Sequence, residues 1–99
     1  MIVAFSISPG VADEDGGVGE AVAEAVRVVR ESGLPYETNA MFTNVEGEWD
    51  DVMAVIKSAV DVVCERSPRV GLVLKADIRP GYEGQLEAKV RRIDRHLET

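Results

Sequence analysis

The sequence predicts an α+β fold whose elements run β-α-β-β-α-β, with one more helix at the C-terminal end. Three observations lead there. MIVAFSIS at the start and VGLVLKADIR from Val70 both alternate in character with period two. Two long segments between them carry apolar residues at i, i+3, i+4 spacing. Between those two lies a stretch rich in strand formers, YETNAM and FTNVEG. With 99 residues and 45% hydrophobic content, the chain is read as one globular domain spanning 1–99.

In the first strand, Val3, Phe5 and Ile7 share one side, with Ala4, Ser6 and Ser8 on the other. SPG breaks the strand, and the acidic, glycine-rich DEDGGVG leads flexibly into a helix. That helix carries Val18, Ala21, Val22, Ala25, Val26 and Val29 on one stripe. Gly33 is a good residue to follow a helix end, and Pro35 forbids continuation. Residues 36–47 read as a short hairpin or a bent strand whose turn the sequence does not place. A second helix runs from about Glu48 to Arg66 on a stripe from Trp49 to Val63, with Trp49 expected in the core. Acids Glu48, Asp50 and Asp51 suit its first turn, where the helix dipole favours negative charge. Gly47 lets the chain turn from strand to helix. Cys64, beside the stripe, reads as a small buried hydrophobe, and Met41 and Met53 as packing residues.

Along the last strand, Leu72, Leu74, Ala76 and Ile78 oppose Gly71, Val73, Lys75, Asp77 and Arg79. The bulkier set is expected against the helices. After the loop PGYEG, Leu86, Val90, Ile93 and Leu97 mark a highly charged third helix with a narrow stripe. The first six elements match the split βαβ, or ferredoxin-like, arrangement, with two helices on one face of an antiparallel sheet. The open face then bears Ser6, Ser8, Val73, Lys75 and Asp77. Such a mixed face suits a second subunit or a ligand.

A net charge of −7 argues against nucleic acid, whose phosphates need clustered Lys and Arg. One cysteine permits no internal disulfide. No apolar run is long enough to span a bilayer and no signal peptide is visible, so a cytoplasmic protein is expected. The stretch TNVEGEWDD holds four carboxylates, but without the spacing of a calcium loop. No second His or Cys accompanies His96 or Cys64 for zinc, and neither has a partner for nucleophilic catalysis. No metal site and no catalytic residues are therefore assigned.

The combination ESGLPYETNAMFTNVEGEWDDVMAVIKSA, followed by RVGLVLKADIR, resembles the thiamine-binding protein family. GLPYE, TNVEGEWD and KADIR stand at the matching places, and the likeness covers essentially the whole chain. The resemblance implies a ferredoxin-like fold and dimers or tetramers. It also implies binding of thiamine or its hydroxymethylpyrimidine moiety as a ligand, not a catalytic cofactor, with no enzymatic activity. The segment SPGVADEDGGVG departs from the family's compact small-residue loop, and Ser8 stands where that loop's serine would.

Thiamine joins an aminopyrimidine to a thiazolium cation. The pyrimidine needs an acceptor for its amino group and a donor for a ring nitrogen, and the cation needs a carboxylate or an aromatic face. Candidate ligand-binding residues are Ser8, Asn39, Thr43, Glu46 and Asp77, with Tyr36 and Phe42 as possible stacking rings. As alternatives, Thr43 is an ordinary β-branched strand residue, Glu46 a solvated acid beside a helix start, and Asp77 one half of an ion pair between subunits. Two further readings compete with the binder: a regulatory or assembly module that associates through its open sheet face, and an enzyme acting on a small heterocycle.

Overall fold

The computed structural model describes residues 1–10 and 19–98. Its elements are β1 (Ile2–Pro9), α1 (Gly19–Glu31), β2 (Tyr36–Thr38), β3 (Thr43–Glu46), α2 (Trp49–Cys64), β4 (Val70–Asp77) and α3 (Gln85–Leu97). The four strands form one sheet in the order β2-β3-β1-β4, every neighbouring pair antiparallel. This is the ferredoxin-like arrangement. Val18 of the expected helix stripe and most of the segment after β1 lie outside the described residues.

The core forms where the three stripes meet. Val3, Phe5 and Ile7 of β1 pack against Ala21, Ala25 and Val29 of α1 and Val52, Ile56, Ala59 and Val63 of α2. Val45 of β3 completes it. Both helices thus cover one face of the central strands, as the alternation requires. A polar tie closes one end: the Ser67 hydroxyl donates to the Arg69 carbonyl (2.7 Å) and accepts from the Gly10 N–H (2.9 Å). Gly10 is needed there because a Cβ would come within 2.9 Å of the Arg69 oxygen. Gly47 serves a similar purpose. A side chain on it would crowd Val52 and Leu34, so close packing selects glycine at this strand-to-helix turn.

The hairpin turn is Asn39–Phe42, fixed by Asn39. Its Oδ1 accepts from the N–H groups of Met41 and Phe42, both at 2.9 Å. This side-chain-to-backbone turn is a common use of Asn.

Three expectations of burial fail. Trp49 is 54% exposed. It is the first residue of α2 and lies roughly 50° from the centre of the stripe set by Val52, Ile56, Ala59 and Val63. Cys64 and Met41 are exposed too, one at the end of α2 and one at the tip of the hairpin. The fourth strand departs more broadly. Leu72 and Leu74 pair with Ile7 and Phe5 and share their face, as expected, yet remain 39% and 40% exposed. β4 is an edge strand, and α1 and α2 close over the middle of the sheet.

The third helix buries no residue at all. The radius of gyration, 14.9 Å, exceeds the roughly 13 Å of a compact 100-residue domain. α3 therefore projects as an arm.

Candidate functional site

The sheet register divides the five candidate residues among three places. Thr43 pairs with Phe5 and with Thr38, so its side chain points to the helix face. Glu46 pairs with Ile2, and Ile2 pairs with Asp77, so these two carboxylates share the opposite face. Ser8, paired with Gly71, is exposed and lines neither cavity. Sequence reasoning gathers all five into one pocket; the structure brings together two pairs and leaves Ser8 apart.

The first pair lies in a cavity of about 200 Å³ between the hairpin turn, β1 and α1. Phe5, Ile7, Val22, Ala25 and Val26 give it apolar walls, and Thr38, Asn39, Met41, Phe42 and Thr43 close it on the hairpin side. Thr43 is only 6% exposed. Its hydroxyl lies 3.1 Å from that of Thr38, and either can donate to the other. One proton of that pair is thereby used internally, and the other remains for an outside acceptor. Asn39 Oδ1 already serves the turn, so the group it has left to offer is its amide NH₂. Among the described residues lining this cavity none is charged. An apolar cleft, open to solvent along the hairpin, with a hydroxyl pair and an amide donor suits a small, uncharged, hydrogen-bonding ring.

Thr38 was missed by sequence reasoning. The signal for it was present: an Asn that opens a four-residue turn sets Thr38 opposite Thr43.

The second pair lines a cavity of about 190 Å³ with Arg79, Tyr82, Gln85 and Lys89. Glu46 is 6% exposed, yet its carboxylate is engaged. The Gln85 N–H donates to Oε2 (2.9 Å) and the Leu86 N–H to Oε1 (3.4 Å). These are two of the orphan donors of the first turn of α3. The residue before that helix is Gly84, in the left-handed conformation (φ 66°) and with no side chain to cap it. Glu46 therefore caps α3 from a strand 39 residues away, and it is not the solvated acid of the alternative reading. Asp77 accepts from the Lys89 ammonium. That hydrogen bond, then the Lys89 charge, hold its carboxyl below the ordinary aspartate range, with Arg79 and Lys75 adding to the effect. Arg79 stacks on the Tyr82 ring, 3.5 Å from its centroid. Tyr36 is half-buried, and its hydroxyl accepts from Arg30 Nε (3.0 Å).

A third, open groove of about 800 Å³ runs between α3, the β2–β3 hairpin base and the start of α2. Its floor includes Leu34, Tyr36 and Leu86, and its rim is acidic, with Glu37, Glu48, Asp51 and Glu83. Among the described residues no helix is long and apolar enough to cross a membrane.

Comparisons with known proteins agree with this geometry. A family model described as thiamine-binding protein matches residues 3–94. A UPF0045 protein of Mycobacterium bovis is 52% identical over 98% of this chain and 94% of its own. A hypothetical protein of Methanocaldococcus jannaschii has the same fold with a TM-score of 0.84 at 32% identity, covering 94% of each chain. A candidate thiamine biosynthesis or salvage protein of Thermotoga maritima superposes with a TM-score of 0.76 at 26% identity, over 92% of this chain and 97% of its own.

Proposed function

The chain belongs to the thiamine-binding protein family, and from that premise we propose that it binds thiamine or its hydroxymethylpyrimidine moiety without chemical turnover. The observation that carries this reading is the apolar cavity of about 200 Å³ with the Thr38–Thr43 hydroxyl pair and Asn39 at its wall. A pyrimidine carrying an amino group needs one acceptor and one donor. A threonine oxygen accepts from the amino group, and the Asn39 amide or the remaining hydroxyl proton reaches a ring nitrogen. Phe5 and Phe42 supply the apolar walls. The cleft is smaller than the roughly 300 Å³ lower bound of drug-sized sites, so it takes one ring, and a second ring stays outside it.

In this reading Glu46 and Asp77 serve α3 and not the ligand. Ser8 has no part in the cavity. The protein works in the cytoplasm as an oligomer, a dimer or tetramer of this chain. A second copy covers the open sheet face, where Val73 is 62% exposed beside Ser6 and Lys75. A two-fold contact is the usual solution.

Isothermal titration with thiamine and with hydroxymethylpyrimidine tests the binding. Heat with at least one of them, weakened about tenfold by Thr43→Val, is the expected outcome. Mass spectrometry recovering the ligand unchanged after long incubation checks that no chemistry occurs.

The assembly-module reading has one observation in its favour, the exposure of both β4 and α3. It predicts an oligomer that gives no heat with either ligand.

A further inference from the structure

We propose that α3 is a dimerisation helix, pairing in parallel with α3 of a second copy through the seam Leu86, Val90, Ile93 and Leu97. The inference rests on the self-association reading above and is independent of ligand binding.

The spacing 4, 3, 4 along α3 is that of alternating d and a positions of a two-stranded coiled coil: Leu86 and Ile93 at d, Val90 and Leu97 at a. These four residues lie within about 60° of one another around the helix. Leu86, at the foot of the helix, is half-buried, and among the described residues the seam opens to solvent beyond it. Val90, Ile93 and Leu97 are 52%, 60% and 76% exposed, increasingly so along the helix. A helix of 13 residues, about 20 Å long, with an apolar seam and no fully buried residue gains little apolar burial from its own domain.

Charge identifies the occupant and its direction. The two e positions that flank the seam, Glu87 and Asp94, are acidic. The two g positions, Lys89 and His96, are basic. In a parallel pair each g residue faces the next e residue of the other helix, so Lys89 meets Asp94 of the second copy, twice by symmetry. An antiparallel pair instead sets e beside e and g beside g. That brings Glu87 against Asp94, two carboxylates, which is repulsive. The groove argues in the same direction. Leu86, Glu87 and Arg91 place it on the acidic flank of α3, and its rim adds Glu37, Glu48, Asp51 and Glu83. A helix seated on that flank must present cations, and the basic flank of a second α3 does so.

The arm is held ready for this. Glu46 caps its first turn and Asp77 holds Lys89 at the flank of the seam. An ammonium has three donors, so Lys89 keeps Asp77 while serving the second copy's Asp94.

The test uses the full chain in a Cys64→Ser background, since Cys64 is the sole cysteine and is exposed. Leu97→Cys is expected to form a same-position disulfide between two copies under mild oxidation. Ile93→Asp is expected to weaken self-association at least a hundredfold in sedimentation equilibrium while leaving far-ultraviolet circular dichroism unchanged. Lys89→Glu and Asp94→Lys are each expected to weaken it several-fold, and K89E/D94K together to restore it. Three results overturn the proposal. A cross-link formed only when Leu86→Cys and Leu97→Cys chains are mixed means antiparallel pairing. A wild-type oligomer insensitive to Ile93→Asp and without the Leu97→Cys cross-link means that another surface holds the copies together. A wild-type monomer at micromolar concentration removes the self-association reading and this inference with it, whatever the ligand titration gives.

Discussion

The two sides of strand β1 differ sharply. Toward β3 the sheet lies under α1 and α2, and Val3, Val45, Val29, Val52 and Val63 are fully out of water. Toward β4 the same sheet continues with good register over eight residue pairs, yet Leu72, Val73 and Leu74 all stay exposed. Helix α3, which follows β4, buries nothing. Both halves are built from strand and helix formers with proper periodicity. Backbone pairing and amphipathic pattern therefore make the elements, but only packing against a second layer makes a core. The β3–β1 half has its second layer within the chain. The β4–α3 half has the pattern without a second layer among the described residues.

The largest expected effect lies in the covered half. Ile56→Ala should cost about 3 kcal/mol in urea unfolding, because a fully enclosed side chain leaves a cavity. Val90→Ala in α3 should cost under about 0.5 kcal/mol when unfolding is measured on dissociated chains. Equal costs would break the comparison. Glu46→Ala comes next, at about 1 kcal/mol, the usual worth of a helix N-cap. Its signature is local: amide exchange through 85–97 should quicken while the α1 and α2 amides keep their protection. Uniform loosening would mean that α3 is bound to the domain more tightly than its exposure implies.

Thr43→Val should change global stability by about 1 kcal/mol or less, since its partner Thr38 is exposed and can turn to water. The smallest effect concerns pH. The folded Asp77 carboxyl titrates below its unfolded value, so the Lys89 tie contributes in full above the ordinary aspartate pKa of about 3.9. It is lost as pH falls through the lowered folded value. In an NMR titration, Lys89→Ala should move the Asp77 midpoint up toward the ordinary value. An unmoved midpoint would mean that Arg79 and Lys75, not Lys89, hold it down.

Much of the fold was legible because periodicity is a local property. Val3, Phe5 and Ile7, the α1 and α2 stripes, and the seam of α3 could be read along the chain. What covers a stripe is not local, so the exposure of Leu74 and Ile93 could not be read. Trp49 illustrates the same limit at one residue: hydrophobic spacing put it on the stripe, but its place at the helix's first residue leaves it half in water. The site was legible in part. Thr43 and Asn39, both named from the sequence, line one cavity, and the turn chemistry of Asn39 also held the clue to Thr38. The capping role of Glu46 was not legible, because its carboxylate serves a helix that begins 39 positions later. A buried acid next to a ligand motif and a buried acid capping a distant helix look alike in sequence. In TNVEGEWDD, then, Thr43 faces the cavity, Glu46 caps α3, and Asp50 and Asp51 occupy the first turn of α2.

The central claim is that the Thr38–Thr43 cavity holds an aminopyrimidine. Titration calorimetry with hydroxymethylpyrimidine, run side by side on the wild type, Thr43→Val and Glu46→Ala, tests it most directly. The account predicts saturable heat for the wild type, binding weakened about tenfold by Thr43→Val, and little change in affinity with Glu46→Ala. Absence of heat with either hydroxymethylpyrimidine or thiamine at millimolar concentration, or binding lost with Glu46→Ala and kept with Thr43→Val, would contradict it.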